Sequence, residues 1–102
     1  NIATDDGSAG YYGTVVELLE KKLSAFPIES TKVFVCGPHR MLAAVQELLL
    51  KNNDDTEISA EAAMACGFGI CQGCPMPSSQ QEDSFLLVCK DGPVFNAKEI
   101  RL

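Results

Sequence analysis

The chain has 102 residues, 46% hydrophobic and 22% charged, the composition of one globular domain with a modest core. Its net charge of −6 argues against nucleic acid as a partner, because phosphate binding needs clustered Lys and Arg. No run approaches the roughly 18 to 20 apolar residues that cross a bilayer, so no membrane role is expected.

The opening Asn1-Ile2-Ala3-Thr4 reads as the end of a strand whose beginning is absent, so the chain is expected to be part of a longer polypeptide. It shows no basic and apolar export signal, which sets the expectation of a reducing, cytoplasmic setting. Asp5 to Gly10 is a turn rich in Asp, Gly and Ser. From Gly13 to Ala25 apolar residues recur at Val15, Leu18, Leu19 and Leu23, the stripe of an amphipathic helix that Pro27 ends. Thr31 to Cys36 is β-branched and aromatic and predicts a buried parallel strand. Pro38 suits the first turn of a second helix, from about Pro38 to Lys51, with Met41, Leu42, Val45, Leu48 and Leu49 facing inward. Asn52 to Asp55 is a polar stop, and Thr56 to Ala60 a third short strand.

This βαβ alternation predicts an α/β fold, the later half of a parallel-sheet nucleotide-binding domain. After Ala60 the pattern changes, which divides the chain into 1–60 and a small β-rich module at 61–102. Gly, Cys, Met and Pro dominate as far as Pro77, and Ser78 to Asp83 is a polar loop. Phe85 to Cys89 reads as a strand, Lys90-Asp91-Gly92-Pro93 as a turn, and Val94 to Leu102 as a short terminal strand with irregular structure.

Four of the five cysteines, Cys66, Cys71, Cys74 and Cys89, form a C-x4-C-x2-C-x14-C array. An odd count without an export signal argues against a secreted disulfide scaffold. Clustered thiolates stabilise both ferric and ferrous iron, and the first two spacings follow the plant-type [2Fe–2S] arrangement, which ordinarily leaves a longer gap than fourteen residues before the last ligand. Gly67, Gly69 and Gly73 let backbone N–H groups approach cluster sulfurs closely. Met64, Met76 and Phe68 are expected to shield the site from water. A structural zinc site remains the alternative, although zinc ribbons usually carry two C-x2-C knuckles and this chain has one such pair.

Cys36, Gly37 and Pro38 stand at the carboxyl end of a predicted parallel strand, where open α/β sheets bind cofactors, and the same residues also serve as plain helix punctuation. Asp5 and Asp6 stand past another strand end, where they could meet a nucleotide's hydroxyls or simply make a turn. His39 reads as a solvated side chain, and no acid–base constellation is present to assign as catalytic.

Taken in order, Thr4-Asp5-Asp6-Gly7-Ser8, Val33-Phe34-Val35-Cys36-Gly37-Pro38, Ile58-Ser59-Ala60-Glu61, Met64 to Cys74, and Cys89-Lys90-Asp91-Gly92-Pro93-Val94-Phe95 resemble one family over essentially the whole chain. They look like the C-terminal part of the electron-transfer subunit of type B dihydroorotate dehydrogenase, in the ferredoxin–NADP reductase superfamily. The resemblance implies a [2Fe–2S] cluster on Cys66, Cys71, Cys74 and Cys89, with Cys36-Gly37-Pro38 beside the nicotinamide of NAD. It implies electron flow in pyrimidine biosynthesis from an FMN-containing catalytic partner subunit, in a heterotetramer of two of each, through the cluster to FAD and NAD+. The flavin barrel and the early Gly-rich turn lie outside this sequence, so FAD is expected mostly on another part of the polypeptide and the chain alone is not a complete catalyst. Ala60 and Cys74-Pro75-Met76-Pro77 depart from the family's usual residues. Related NADH-dependent ferredoxin:NADP+ oxidoreductase subunits share the architecture, and some carry Asp at the first ligand position, where this chain has Cys66.

Overall fold

The computed structural model describes residues 1–27, 30–52 and 55–102, in two compact units, Asn1–Thr31 and Lys32–Leu102. In the first unit two short strands, β1 (Ala3–Thr4) and β2 (Tyr11–Tyr12), pair in parallel, Ala3 opposite Tyr11 and Thr4 opposite Tyr12. The turn between them is closed by Gly7 N–H on the Thr4 carbonyl (3.2 Å) and by the Thr4 hydroxyl on the Ala9 carbonyl (2.8 Å). Helix α1 (Val15–Leu23) starts one residue after Thr14 for a specific reason. The Thr14 hydroxyl accepts from Glu17 N–H (3.2 Å) while the Glu17 carboxylate accepts from Thr14 N–H (2.9 Å), a capping box that satisfies two donors left free at a helix start. Lys21 and Lys22 complement the carboxyl end of the helix, and the Lys21 ammonium lies 4.5 Å from the centre of the Tyr11 ring.

In the second unit β3 (Lys32–Cys36) runs parallel to β4 (Asp55–Ser59), in a register that sets Val33 against Thr56 and Val35 against Ile58. Helix α2 (His39–Asn52) makes the crossover between them. Its buried stripe is Leu42, Val45, Gln46 and Leu49, so a glutamine takes a place inside while Leu48, expected there, is only half-buried. Within the polar stop, Asn53 and Asp54 lie outside the described residues.

Past the cysteine loop, β5 (Pro75–Pro77) and β6 (Phe85–Leu87) form an antiparallel hairpin, Met76 opposite Leu86. The last strand, β7 (Val94–Asn96), returns to β4 antiparallel, Ile58 opposite Phe95. The sheet is therefore mixed, β3-β4-β7, and the chain is a mixed α/β protein. The division near Ala60 is one of composition and chain order, since the sheet runs across it and Ile58 and Ala60 share a core with Cys74, Met76, Val88, Phe95 and Ile100.

Several elements differ from the sequence-based expectation. β3 is not buried: Phe34 is 70% exposed, because α2 and the hairpin cover only part of the sheet. β5 lies where the sequence shows a run of Gly, Cys, Met and Pro and no strand is assigned; proline donates no ladder hydrogen bond, yet a two-stranded edge tolerates it. β6 stops at Leu87, whose carbonyl accepts from both Lys90 N–H (3.0 Å) and Asp91 N–H (2.7 Å) and so turns the chain before Cys89. After β7 the pairing with β4 continues for one bond, Ala97 N–H to the Thr56 carbonyl (2.9 Å), and beyond it an isolated bridge joins Ile100 to Ser78.

Candidate metal centre

No helix or strand covers residues 61–74; the loop is shaped by left-handed backbone at Gly67 (φ 75°), Gly69 (φ 89°) and Gln72 (φ 57°). At Gly69 the left-handed φ favours glycine, and its position lies against the Lys90 stem and Leu87, which a Cβ would approach to 3.3 Å and 3.6 Å. The result of this winding is a set of N–H groups aimed at sulfur. Cys71 N–H donates to Cys66 Sγ (3.4 Å), and Gly73 N–H to Cys71 Sγ (3.3 Å). From the hairpin side, Cys89 N–H donates to Cys74 Sγ (3.4 Å).

These contacts set the thiol chemistry. The Cys66 thiol is lowered to about 6, chiefly by the Cys71 N–H and next by the Phe68 N–H, so it is a thiolate at neutral pH. Cys89 moves the other way, raised first by sharing a hydrogen bond with the Cys74 thiol, then by burial and by the charges of Cys74 and Cys66. By these N–H contacts Cys71 is joined to Cys66 and Cys89 to Cys74. Among the described residues no group of three or more His, Cys, Asp or Glu converges on one ion position. Four cysteine sulfurs with backbone N–H donors to disperse the charge of their thiolates are a donor set that fits a [2Fe–2S] cluster.

The pairs sit in different surroundings. Cys71 is exposed and Cys66 half-buried, whereas Cys74 is 3% exposed within the core and Cys89 is half-buried against it. The expected apolar cover is only partly there. Met76 is buried, but Met64 and Phe68 are 51% and 66% exposed. The neighbours of Gly69 that sequence reasoning did not single out are Leu87 and Lys90, which a hairpin turning at Leu87 brings to the loop.

The Cys36-Gly37-Pro38 turn is split between two surfaces. Cys36 lines a shallow groove of about 160 Å³ with Phe34, Glu57 and Val94. Gly37 and Pro38 line a cavity of about 220 Å³ with His39, Glu61, Met76 and Leu102. In the other compact unit Asp5 is exposed, and the Asp6 carboxylate accepts from Ser8 N–H (2.9 Å), the bond that chiefly lowers its pKa.

Residues 61–101 match the family described as the iron-sulfur cluster binding domain of dihydroorotate dehydrogenase B. The chain is 41% identical over 100 residues to a probable dihydroorotate dehydrogenase B (NAD(+)), electron transfer subunit, from Pyrococcus abyssi, covering 98% of this chain and 35% of that protein. It is 40% identical over 100 residues to the corresponding subunit of Caldanaerobacter subterraneus, covering 97% and 39%. It is 39% identical over 102 residues to that of Listeria monocytogenes, covering 100% and 38%. The chain therefore spans little more than a third of the length of these relatives. Among solved structures, one from work on flavin-based electron bifurcation by an NADH-dependent reduced ferredoxin-NADP oxidoreductase aligns with a TM-score of 0.69 and 30% identity, covering 93% of this chain and 33% of that one.

Proposed function

We propose that this chain, which belongs by sequence to the family of type B dihydroorotate dehydrogenase electron-transfer subunits, is the cluster-bearing C-terminal part of such a subunit in pyrimidine biosynthesis. Cys66, Cys71, Cys74 and Cys89 are its ligands. When bound, a [2Fe–2S] cluster there supplies one-electron transfer between the FMN of a dihydroorotate dehydrogenase catalytic subunit and FAD and NAD+. The observation that carries this reading is the pairing of the four sulfurs under backbone N–H donors from Cys71, Gly73 and Cys89.

Each residue then has a definite task. Cys66 stands ready as a thiolate, the form that binds metal. The N–H groups of Cys71 and Gly73 disperse the negative charge that four thiolates bring. Residues 1–60 form the later part of the NAD-binding α/β domain, with the surface at Cys36, Gly37 and Pro38 toward the nicotinamide and the turn at Asp5 and Asp6 toward the nucleotide. Residues 61–102 form the cluster module. FAD belongs mostly to the remainder of the polypeptide. The partner is the FMN-bearing catalytic subunit, two of each per complex, in the cytoplasm.

The test is anaerobic purification of the full-length polypeptide. It should be brown, absorb between about 400 and 550 nm, hold about two irons per chain, and give a rhombic EPR signal once reduced. A colourless protein with one zinc per chain, after expression with ample iron, would refute the assignment and identify a zinc-stapled module instead.

A further inference from the structure

One buried polar side chain in the second compact unit is not used by the reading above. Gln46 lies in the middle of α2, only 7% exposed, and all of its hydrogen bonds go to the chain's last residues. Its Nε2 donates to the Ala97 carbonyl and to the Ile100 carbonyl, both at 2.7 Å, and its Oε1 accepts from Leu102 N–H at 3.3 Å. Two carbonyls on one side and an N–H on the other fix the amide's orientation, since the reverse would set oxygen against oxygen.

The segment that Gln46 grips is itself tied to the cysteine-bearing hairpin. Ile100 bridges Ser78, Arg101 N–H donates to the Pro77 carbonyl (2.8 Å), and Ser79 N–H to the Glu99 carbonyl (2.9 Å). Those partners begin one strand away from Cys74, whose carbonyl accepts from Val88 N–H (3.0 Å) and whose sulfur accepts from Cys89 N–H. The same segment ends at Leu102, a wall of the cavity beside Gly37 and Pro38. Residues 97–102 form no strand; backbone bonds tie them to the hairpin and, through Ala97 N–H on the Thr56 carbonyl (2.9 Å), to β4, while the Gln46 side chain ties them to α2.

We infer that Gln46 is a positioning residue for the cysteine array: by clamping residues 97–102 it fixes both the Cys74–Cys89 pair and the Leu102 wall of the cavity in one arrangement. The clamp concerns the spacing of cysteines as the fold builds it, and its link to electron transfer rests on the cluster reading above. A hydrophobic residue at 46 would pack there but leave two carbonyls and an N–H without partners. A glutamate would keep the shape and turn an acceptor toward two acceptors.

The experiment is run on the full-length polypeptide with Gln46→Glu and Gln46→Met, and with Leu49→Ala as control, a fully buried residue of the same helix that does not bond the segment. Hydrogen exchange of the metal-free protein should be at least about tenfold faster at Arg101, Leu102 and Cys89 in both Gln46 variants, with β4 amides little changed. In the iron-loaded protein both variants should shift the EPR line shape and the reduction potential, whereas Leu49→Ala should leave the two signatures in place and speed exchange across the whole core. Gln46→Met guards against a glutamate that does not fold. Unchanged exchange at Cys89 with unchanged signatures would overturn the inference and leave Gln46 as a local core amide. Should the protein hold no iron, the cluster reading fails, and the metal-free exchange at Cys89 alone decides whether the clamp exists.

Discussion

Cys71→Ser and Cys74→Ser separate ligation from packing, because the two sulfurs differ in burial. Cys71 is exposed, whereas Cys74 is 3% exposed among Met76, Val88 and Ile100. On the proposed cluster assignment the two are equivalent ligands, and serine oxygen is harder than thiolate sulfur, so each variant should lose most of its iron. Without metal they diverge. At position 71 a solvent-facing hydroxyl replaces a solvent-facing thiol and can still accept from Gly73 N–H, so stability should change by less than about 0.5 kcal/mol. At position 74 a hydroxyl enters an apolar core with just the Cys89 N–H and the weakly bonding Cys89 thiol for partners, leaving a cost of about 1 to 3 kcal/mol. With a urea slope of about 1 to 3 kcal/mol per molar, a loss of about 2 kcal/mol lowers the midpoint by about 1 M. The assay is iron content of the purified protein followed by urea unfolding of the metal-free form. Wild-type iron in either variant would refute the ligand assignment, and equal midpoints would refute the burial argument.

Two further substitutions probe the scaffold. Among the described residues the buried Thr56 hydroxyl has no hydrogen-bond partner, so Thr56→Val should raise stability by about 1 kcal/mol, and a lowered urea midpoint would count against this. A Cβ at position 92 would lie 2.5 Å from the Phe95 ring, which is only 3% exposed and has little room to yield. Gly92→Ala should therefore cost about 1 to 3 kcal/mol by the same measurement, and an unchanged midpoint would mean the ring repacks freely.

What the sequence revealed follows the range of the forces involved. α2 was legible because its apolar stripe is a local, periodic signal, and the cysteine array because ligand spacing is written along the chain. Gln46 was not, since a glutamine on an amphipathic helix reads as solvent-facing until residues 97–102 fold over it, more than fifty positions later. β5 was hidden by Pro75 and Pro77, whose missing donors matter less on a two-stranded hairpin than in a sheet interior. The start of α1 could have been placed from the Thr14-x-x-Glu17 spacing, a capping-box signature left unused. The exposure of Met64 and Phe68 depends on what lies over the loop, which no local pattern encodes.

The unequal surroundings of the two cysteine pairs bear on what the site can do. A single metal ion held for structural purposes gains most from four ligands in one rigid, enclosed shell. Here one pair is carried by a glycine-wound loop open to solvent, with N–H donors that already hold Cys66 as a thiolate at neutral pH. The other pair is anchored in the core, where burial and the contact between its thiols raise Cys89. Negative charge added to such a site is stabilised better toward residues 66–73, by backbone dipoles and water, than toward Cys74 and Cys89. A site polarised in this way suits a group whose charge changes by one unit in use. On the proposed reading the core-anchored Cys74 fixes where that group sits, the solvent-facing side at Cys71 accommodates the change, and the clamp from Gln46 bears on the half that must not move.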